Sequence, residues 1–201
     1  MTERCLVTGG SGFIGSNLVR ELLSRGFQVR VLDNLSTGRR VNLDDVAGDL
    51  EVIEGDVRHL ATAVRAMEGV SRAFHEAAVP SVARSVAAPL ASNEANVTGT
   101  LNVLVAARGA GTDRVVFASS SSVYGDADRL PGTEQDRLGP ISPYAASKLA
   151  GEHYLAAFHA SYGLPTVALR YFNVFGPWQD PASEYSAVVP RFTAAALAGA
   201  R

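Results

Sequence analysis

Tyr144 and Lys148 carry the clearest chemical signal in the sequence, because a phenol and an ammonium four residues apart can share one face of a helix. Ser142-Pro143, just before them, has the form of a helix N-cap followed by proline in the first turn. The positive charge of the lysine is expected to lower the pKa of the tyrosine, so that the phenolate acts as a general base. The pair is therefore predicted to be catalytic.

A run of hydroxyl groups precedes that helix, in the segment Ala118-Ser119-Ser120-Ser121-Ser122. The run follows an apolar stretch and is predicted to end a strand, where its hydroxyls can hydrogen-bond a reacting alcohol. A tyrosine and a lysine at this spacing also occur by chance on many helices. The catalytic prediction therefore depends on the serine run and on two further patterns nearer the N-terminus.

Three glycines spaced three residues apart, Gly9, Gly12 and Gly15, follow a short apolar strand. Glycine tolerates the backbone angles of such a turn, lets main-chain N–H groups approach a pyrophosphate, and lets the next helix pack tightly on the strand. A glycine-rich turn between any strand and helix can look similar. We interpret this one as a dinucleotide-binding turn, with the phosphate at the N-terminus of the helix that starts at Phe13 and Ile14.

Asp33 ends a second apolar strand, eighteen residues after the last of these glycines. A carboxylate at about this distance binds ribose hydroxyls and repels a 2′-phosphate, so NAD is the predicted cofactor. Two alternatives stay open: Asp33 can simply cap the turn Asn34–Gly38, and Arg39 with Arg40 leaves NADP as the minor alternative. The positive nicotinamide ring of NAD would further lower the pKa of Tyr144.

The composition is that of an ordinary globular enzyme domain, with 47% hydrophobic residues, 19% charged residues and a net charge of −2 over 201 residues. Basic residues are scattered, so no nucleic-acid partner is predicted, and no apolar run is long enough to cross a membrane. The N-terminus enters a strand at once without a signal peptide, which predicts a cytoplasmic protein. Cys5 is predicted to be a core residue, and the histidines show no metal-ligand spacing, so no metal is predicted.

Short β-rich segments alternate with helical patterns along the chain. The predicted strands are Arg4–Thr8, Gln28–Asp33, Leu50–Glu54, Arg72–His75, Arg114–Ser119 and Thr166–Tyr171. The predicted helices are approximately Phe13–Arg25, His59–Met67, Ser92–Arg108 and Pro143–Tyr162. The strands are almost continuously apolar, as in a parallel sheet buried on both faces. The alternation predicts an α/β fold with an open, doubly wound parallel sheet, whose ligands gather at the carboxyl ends of the strands.

Six motifs have the sequences and the order of a known family: TGGSGFIG, DNLSTG, NVTGT, SSSSVYG, SPYAASK and RYFNVFGP. The chain resembles the extended short-chain dehydrogenase/reductases that act on nucleotide sugars. Within them it is most similar to the UDP-hexose 4-epimerases, particularly the UDP-N-acetylglucosamine type, which have parallels to Gln179–Pro181 and Tyr185–Pro190. The resemblance implies a Rossmann domain with the catalytic residues over 1–175 and the start of a substrate-binding lobe over 176–201. Relatives extend well beyond this length, so we expect a fragment with that lobe largely missing.

The resemblance assigns the NAD site residue by residue. The pyrophosphate is expected at Gly9, Gly12, Phe13, Ile14 and Gly15, and the adenosine ribose at Asp33, Asn34, Ser36, Thr37 and Gly38. The remaining cofactor contacts are expected from Asp56 and Val57 at the adenine, from Ala77, Ala78 and Asn96 further along, and from Tyr144, Lys148 and Tyr171 near the nicotinamide. A role in a local turn is the open alternative for Thr37.

The same resemblance implies the substrate contacts and the reaction. Contacts with the UDP-sugar are expected from Ser81, Ser120, Ser121, Ser122, Tyr144 and Asn173, with Ser120, Tyr144 and Lys148 as the catalytic residues. For Ser81 a helix-capping role is the open alternative. The implied reaction is NAD-dependent 4-epimerisation of a UDP-hexose, either the glucose/galactose or the N-acetylhexosamine pair, through a 4-keto intermediate.

The serine run also bears on the choice of reaction. Related dehydratases usually place an acidic pair where this chain has Ser121 and Ser122, and related decarboxylases usually carry glutamate at the position of Ser122. Both reactions are therefore disfavoured, although another nucleotide-sugar oxidoreductase, such as a 4-ketoreductase or dehydrogenase, stays open. A non-catalytic NAD-binding fragment is the third alternative.

Two further expectations come from the resemblance. Relatives pair through two helices, so a homodimer is expected here through Asn93–Arg108 and Tyr144–Tyr162, although the apolar residues of these helices can instead belong to the core. Glu76 stands where relatives more often have an apolar residue or glutamine. It is expected to put a carboxylate near the cofactor.

Overall fold

The computed structural model describes residues 3–126, 131–180 and 188–199 and contains one sheet of six parallel strands. These strands are β1 (Arg4–Thr8), β2 (Gln28–Asp33), β3 (Leu50–Glu54), β4 (Arg72–His75), β5 (Arg114–Ser120) and β6 (Thr166–Tyr171). Their spatial order is β3-β2-β1-β4-β5-β6. The chain thus builds one half of the sheet outward from β1, returns to β4 and builds the other half. The order reverses between β1 and β4, where a crevice for ligands is expected.

The predicted doubly wound parallel sheet is confirmed, and the bounds of five strands are those predicted. The longer described helices are α1 (Phe13–Ser24), α2 (Leu60–Met67), α5 (Gly99–Ala110), α6 (Pro143–Tyr162) and α7 (Val188–Leu197). Shorter ones are α3 (Val82–Ala87), α4 (Pro89–Asn93), a π-helix (Glu94–Thr98) and 3-10 turns at Arg40–Leu43 and Ser121–Tyr124. The part of the predicted C-terminal lobe at 181–187 and 200–201 lies outside the described residues.

The helix predicted over Ser92–Arg108 is wrong in detail, because the structure divides this region into α4, the π-helix and α5. Asn96 lies in the wider π-helical turn, where its side chain hydrogen-bonds two other segments of the chain. Periodicity of apolar residues cannot reveal such a turn, because the turn changes the hydrogen-bond register and leaves the helical pattern nearly intact.

Apolar residues fill both faces of the sheet. Cys5 and Val7 of β1 pack with α1 on one face, whereas Leu6 points to the other face, toward a cluster that includes α2 and α5. Alternation of side chains along a strand explains why a continuous apolar run suits a strand with helices on both sides. The prediction that Cys5 is a core residue is confirmed, since its side chain is fully buried.

The edge strand β6 departs from the prediction of burial on both faces. Val167 and Leu169 are 38% and 42% exposed. Among the described elements, β6 pairs with β5 and packs against α6. An apolar sequence therefore does not by itself report whether a strand is central or at an edge.

Two glycines fix the approach of α1 to the end of β1. Gly9 has a φ of +70°, and a Cβ atom there would lie 2.8 Å from the backbone nitrogen of Ala77. A Cβ atom at Gly15 would lie 2.2 Å from the carbonyl oxygen of Gly9. Backbone atoms occupy the space that a side chain would need, so these positions require glycine.

Gly15→Ala is expected to lower the free energy of unfolding by about 3 kcal/mol, because the new methyl group must displace α1 from β1. The matched control is Gly109→Ala in α5, where an added Cβ meets nothing within 4 Å and helix propensity predicts a gain of about 0.5–1 kcal/mol. Urea denaturation measures both changes. Equal stabilities of the two variants would show that the close approach at Gly15 is not required.

No helix in the described ranges has the length and apolar character that a membrane span needs.

Candidate active site

A cavity of about 1140 Å³ opens at the carboxyl ends of the strands, at the reversal of strand order. It extends from Asp33 and Asp56, beyond β2 and β3, to Tyr171 at the end of β6. The predicted site residues that line it are Gly9, Gly12, Phe13, Ile14, Gly15, Asp33, Asn34, Ser36, Thr37, Gly38, Asp56, Val57, Ala77, Ala78, Ser120, Tyr144, Lys148, Tyr171 and Asn173. Residues chosen from separate sequence motifs thus share one cavity.

The N-terminus of α1 forms one wall of this cavity. Gly12 is its N-cap, with extended backbone angles and no side-chain capping hydrogen bond. The first N–H groups of a helix lack partners within the helix, and the helix dipole favours an anion at that end. Because Gly9, Gly12 and Gly15 present only backbone here, the cradle fits the pyrophosphate of a dinucleotide.

Asp33 binds the glycine loop and the following turn at the same time. Its Oδ2 accepts the N–H of Ser11 at 2.9 Å, and its Oδ1 accepts the N–H of Leu35 at 2.8 Å. Leu35 adopts a φ of +57°, which the second hydrogen bond helps to hold. The turn-capping alternative for Asp33 is therefore present in the structure, and the carboxylate lines the cavity as well.

The adenine side of the cavity contains a polar cluster around Asp56. Its Oδ2 accepts a hydrogen bond from Asn34 at 2.7 Å and another from Arg58 at 2.8 Å. The hydrogen bonds and charge of Arg58 hold the pKa of Asp56 well below its usual range. The carboxylate is thus ionised and fixed in direction, as an acceptor for a ligand N–H must be.

Tyr144 and Lys148, the predicted catalytic pair, lie where α6 faces the end of β5. The Ser142 hydroxyl accepts the N–H of Ala145, which caps the helix as predicted. Lys148 is 3% exposed, and its Nζ donates to the carbonyl oxygen of Ala118 at 2.8 Å. Burial lowers the pKa of Lys148 to about 8, and the charge of Glu76 opposes that change.

The expectation that Lys148, helped by the nicotinamide ring, lowers the pKa of Tyr144 concerns the site with its cofactor and stays a prediction. Burial raises the pKa of Tyr144, and a hydrogen bond with Ser120 offsets this only in part. The Lys148 ammonium lies 5.9 Å from the centre of the Tyr144 ring and donates to Ala118. Desolvation of the phenolate therefore dominates, and Tyr144 is a neutral phenol near neutral pH.

The serines of the run lie in different environments. Ser120 lines the cavity, and its Oγ accepts the N–H of Ser122 at 3.2 Å and lies 2.9 Å from the Ser122 hydroxyl. Ser121 instead lines a neighbouring cavity of about 1160 Å³ beside β6, and Ser122 is not among the residues lining either one. The predicted substrate contacts of Ser121 and Ser122 stay predictions.

Ser81 and Asn96 lie behind the cavity wall. Ser81 is the N-cap of α3, and its Oγ accepts the N–H of Arg84 at 2.9 Å, which is the alternative raised for it above. Asn96 accepts the N–H of Val79 at 2.8 Å and donates to Ser147 at 3.0 Å. It therefore positions the loop after β4 relative to α6, and its predicted contact with the cofactor stays a prediction.

A buried chain of hydrogen bonds through His75 joins the same segments. The His75 Nδ1 lies 2.7 Å from the Thr8 hydroxyl, and the Nε2 lies 3.0 Å from the Thr100 hydroxyl. Thr100 donates to the carbonyl oxygen of Asn96 at 2.6 Å, so it accepts from Nε2–H, and Thr8 donates to Nδ1. Burial first, and the charge of Lys148 second, lower the pKa of His75 to about 3. The imidazole is neutral.

Several residues of the cavity were not predicted to bind there. Glu76, at the end of β4, accepts a hydrogen bond from the Tyr171 hydroxyl at 3.1 Å. Trp178, the only tryptophan of the chain, has a φ of +67° and lies under Arg20, whose guanidinium carbon is 4.5 Å from the ring centre. Other lining residues include Arg39, Asn42, Pro80, Arg84, Phe172, Gln179 and Asp180. Of these residues, Glu76 was expected near the cofactor, Arg39 was considered as an NADP contact, and Gln179 and Asp180 belong to a segment with parallels in relatives.

Among the described residues, no group of three or more His, Cys, Asp or Glu side chains has a metal-binding arrangement.

A doubly wound sheet with a glycine cradle, the Asp33 carboxylate and a Tyr–Lys pair in one cavity defines a Rossmann domain with a site for a nicotinamide dinucleotide. The model of the NAD dependent epimerase/dehydratase family matches residues 5–201, and the chain belongs to that family. The predicted membership of the extended short-chain dehydrogenase/reductases and the predicted cofactor, NAD, are thereby confirmed.

Individual relatives are similar over nearly the whole chain. The UDP-glucose 4-epimerase of Mycolicibacterium smegmatis is 43% identical over 200 residues, which are 98% of this chain and 64% of that protein. The UDP-N-acetylglucosamine 4-epimerase of Methanobrevibacter ruminantium, solved in complex with UDP-N-acetylmuramic acid, superposes with a TM-score of 0.93 at 43% identity, covering 100% of this chain and 64% of that one. This chain thus spans less than two thirds of the length of these relatives.

A relative with a different activity is also similar. The UDP-N-acetyl-alpha-D-glucosaminuronate decarboxylase of Bacillus cytotoxicus is 36% identical over 204 residues, which are 99% of this chain and 63% of that protein. Overall similarity therefore establishes the family, and the choice of reaction must be argued from the site.

The neutral, buried His75 is expected to make stability depend on pH. Unfolded His75 takes up a proton near pH 6.5, whereas the folded residue does so only near pH 3. Its contribution to stability is therefore complete above about pH 6.5 and is lost progressively as the pH falls toward 3. Between pH 6.5 and 5 the free energy of unfolding should fall by about 2 kcal/mol.

Urea denaturation at pH 7, 6 and 5 measures this loss. His75→Gln should flatten the pH dependence, whereas His153→Gln, at an exposed position of α6, should leave it as in the wild type. An unchanged slope in the His75→Gln protein would assign the pH dependence to other groups.

Proposed function

We propose that the chain carries the NAD-binding and catalytic residues of a UDP-hexose 4-epimerase, which acts on the UDP-glucose/UDP-galactose or the N-acetylhexosamine pair through a 4-keto intermediate. The observation that supports this most directly is the convergence of Ser120, Tyr144 and Lys148 at the end of the cavity opposite Asp33 and Asp56. A hydroxyl, a phenol and an ammonium at one point suffice for proton transfer at a sugar hydroxyl.

In the proposed reaction, bound NAD supplies the reversible oxidation of C4. Tyr144 takes the proton of the 4-hydroxyl group and later returns a proton to the same oxygen. Ser120, which hydrogen-bonds Tyr144, would hold the 4-oxygen beside the phenol. Lys148 would hold the nicotinamide ribose and add positive charge next to the phenolate. Rotation of the 4-keto sugar between the two proton transfers would then invert C4.

The charges near the serine run favour epimerisation over dehydration and decarboxylation. Elimination of water at a neighbouring carbon needs its own acid and base. Where related dehydratases usually have an acidic pair, this chain has the hydroxyls of Ser121 and Ser122. The nearby carboxylate of Glu152 is bound to Arg170 by a 2.8 Å ion pair and accepts a hydrogen bond from Ser119. It is therefore committed to holding α6 on β5 and β6.

Two alternatives make different products. A 4-ketoreductase or dehydrogenase would consume added NADH, NADPH or NAD in proportion to the sugar converted, whereas an epimerase regenerates its cofactor. A non-catalytic NAD-binding fragment would bind the cofactor without converting any sugar. This last alternative must be tested as well, because the chain spans less than two thirds of the length of these relatives.

Proton NMR of UDP-glucose and UDP-N-acetylglucosamine, incubated with the chain and a catalytic amount of NAD, tests the proposal. The expected result is the 4-epimer without net NADH. A 4-keto sugar would overturn the epimerase assignment in favour of dehydration. If no sugar changes, the same measurement on a chain extended beyond Arg201 decides whether this chain only binds cofactor.

Tyr144→Phe should abolish product formation, with a loss of at least about 100-fold, while NAD binding is retained. The control is Tyr154→Phe, an exposed tyrosine on the same helix. Quenching of the fluorescence of Trp178, the only tryptophan, which lines the cavity, measures NAD binding in both proteins. Turnover by the Tyr144→Phe protein would contradict the assignment of the base.

We also propose that the protein forms a homodimer through α5 and α6. These helices pack together, and they carry the exposed apolar or aromatic residues Val105, Tyr154 and Tyr162. Light scattering should give the mass of two chains, and Val105→Glu should give one, because a buried unpaired charge opposes association. A wild-type mass of one chain would contradict the dimer.

A further inference from the structure

Lys148 is the only lysine in the chain, and it is buried. Its Nζ donates to the Ala118 carbonyl and lies 4.9 Å from the centre of the Phe117 ring. A carbonyl and aromatic faces stabilise an ammonium through partial charges. A buried ammonium usually needs a formal negative charge as well, because transfer from water into a protein interior disfavours the charged form.

Glu76 supplies a formal negative charge in the same cavity. It follows His75 at the end of β4, while Lys148 faces the end of the adjacent strand β5. The Tyr171 hydroxyl, from the end of β6, donates to Glu76 Oε1 at 3.1 Å and so restricts where the carboxylate can lie. Since His75 is paired with Phe117 in the sheet, Glu76 lies beside Ala118, whose carbonyl binds Lys148. Burial raises the pKa of Glu76, and the Tyr171 hydrogen bond and the charge of Lys148 oppose that rise.

The other titratable groups around the ammonium do not offer that charge. His75, from β4, is neutral because its pKa is about 3. Tyr144, from α6, and Tyr171, from β6, are neutral because burial raises the pKa of both phenols. Glu152, one turn further along α6, is paired with Arg170. Glu76 is the remaining carboxylate that acts on Lys148.

We propose that Glu76 is the counterion that keeps Lys148 protonated in the resting site, and that it acts on the reaction as a positioning residue through this lysine. The electrostatic interaction between Glu76 and Lys148 does not depend on which reaction the protein catalyses. Its catalytic consequence rests on the function proposed above, in which the ammonium holds the nicotinamide ribose.

The single lysine allows a direct test. Protein grown with lysine labelled with ¹³C at Cε gives one lysine signal, and its chemical shift against pH reports the charge of Lys148 without any need for turnover. Glu76→Gln removes the charge but keeps an oxygen that can accept from Tyr171. Its titration midpoint should be lower than in the wild type by about one pH unit, because the opposite charge that opposes the effect of burial is lost.

Two further variants complete the design. Glu68→Gln, an exposed position remote from the cavity, makes the same change in net charge and should leave the midpoint unchanged. Glu76→Asp keeps the charge and should give a midpoint near that of the wild type, a result that does not require the glutamine variant to fold. A Glu76→Gln midpoint equal to that of the wild type would overturn the proposal, as would an Asp variant that titrates like the Gln variant.

The pH profile of epimerisation separates this proposal from the proposed function. If the ammonium is needed, the alkaline limb of the profile should move to lower pH in Glu76→Gln, by the amount of the NMR shift. A shifted NMR midpoint in a chain that converts no UDP-sugar would reject the proposed function and leave the counterion role intact. An unshifted NMR midpoint in a chain that epimerises UDP-sugars would reject the counterion role and leave the proposed function intact.

Discussion

The neutral imidazole of His75 connects, through hydrogen bonds, several of the segments that form the site. His75 connects Thr8, the residue before the glycine turn, to Thr100 of α5, and Thr100 continues to the backbone of Asn96. The Asn96 side chain then reaches the loop after β4 and Ser147, next to Lys148. Each group in this chain has one donor and one acceptor role, so the arrangement is satisfied only with a neutral ring. The glycine cradle and the catalytic helix are therefore fixed relative to each other from inside the protein.

Burial decides the protonation states at the catalytic end of the cavity. It raises the pKa of Tyr144 and lowers that of Lys148, so both groups are driven toward their neutral forms. Ser120 and Glu76 oppose these changes, one at each group. Under the proposed function, the positive charge of an oxidised nicotinamide ring beside Tyr144 would favour the phenolate and so help this phenol act as a base.

Local patterns in the sequence were sufficient for much of this structure. The strands follow from apolar runs bounded by turn residues, and the glycine turn follows from backbone requirements that only Gly9 and Gly15 can meet. Features that depend on distant segments were missed or wrong. The exposure of β6, the π-helical turn at Asn96 and the separation of Ser121 from Ser120 depend on which elements pack nearby. The rise in the pKa of Tyr144 on burial was missed, because spacing along a helix gives proximity but not the cost of burial.

The burial of the only lysine has one more consequence. A protease that cleaves only after lysine has a single target in this chain, the peptide bond between Lys148 and Leu149, and that bond lies within α6. Cleavage there requires the helix to leave its place against β5, so the rate of cutting into two pieces reports how often the catalytic helix opens. The lysine that is proposed to act in catalysis thus also allows the local unfolding of α6 to be measured.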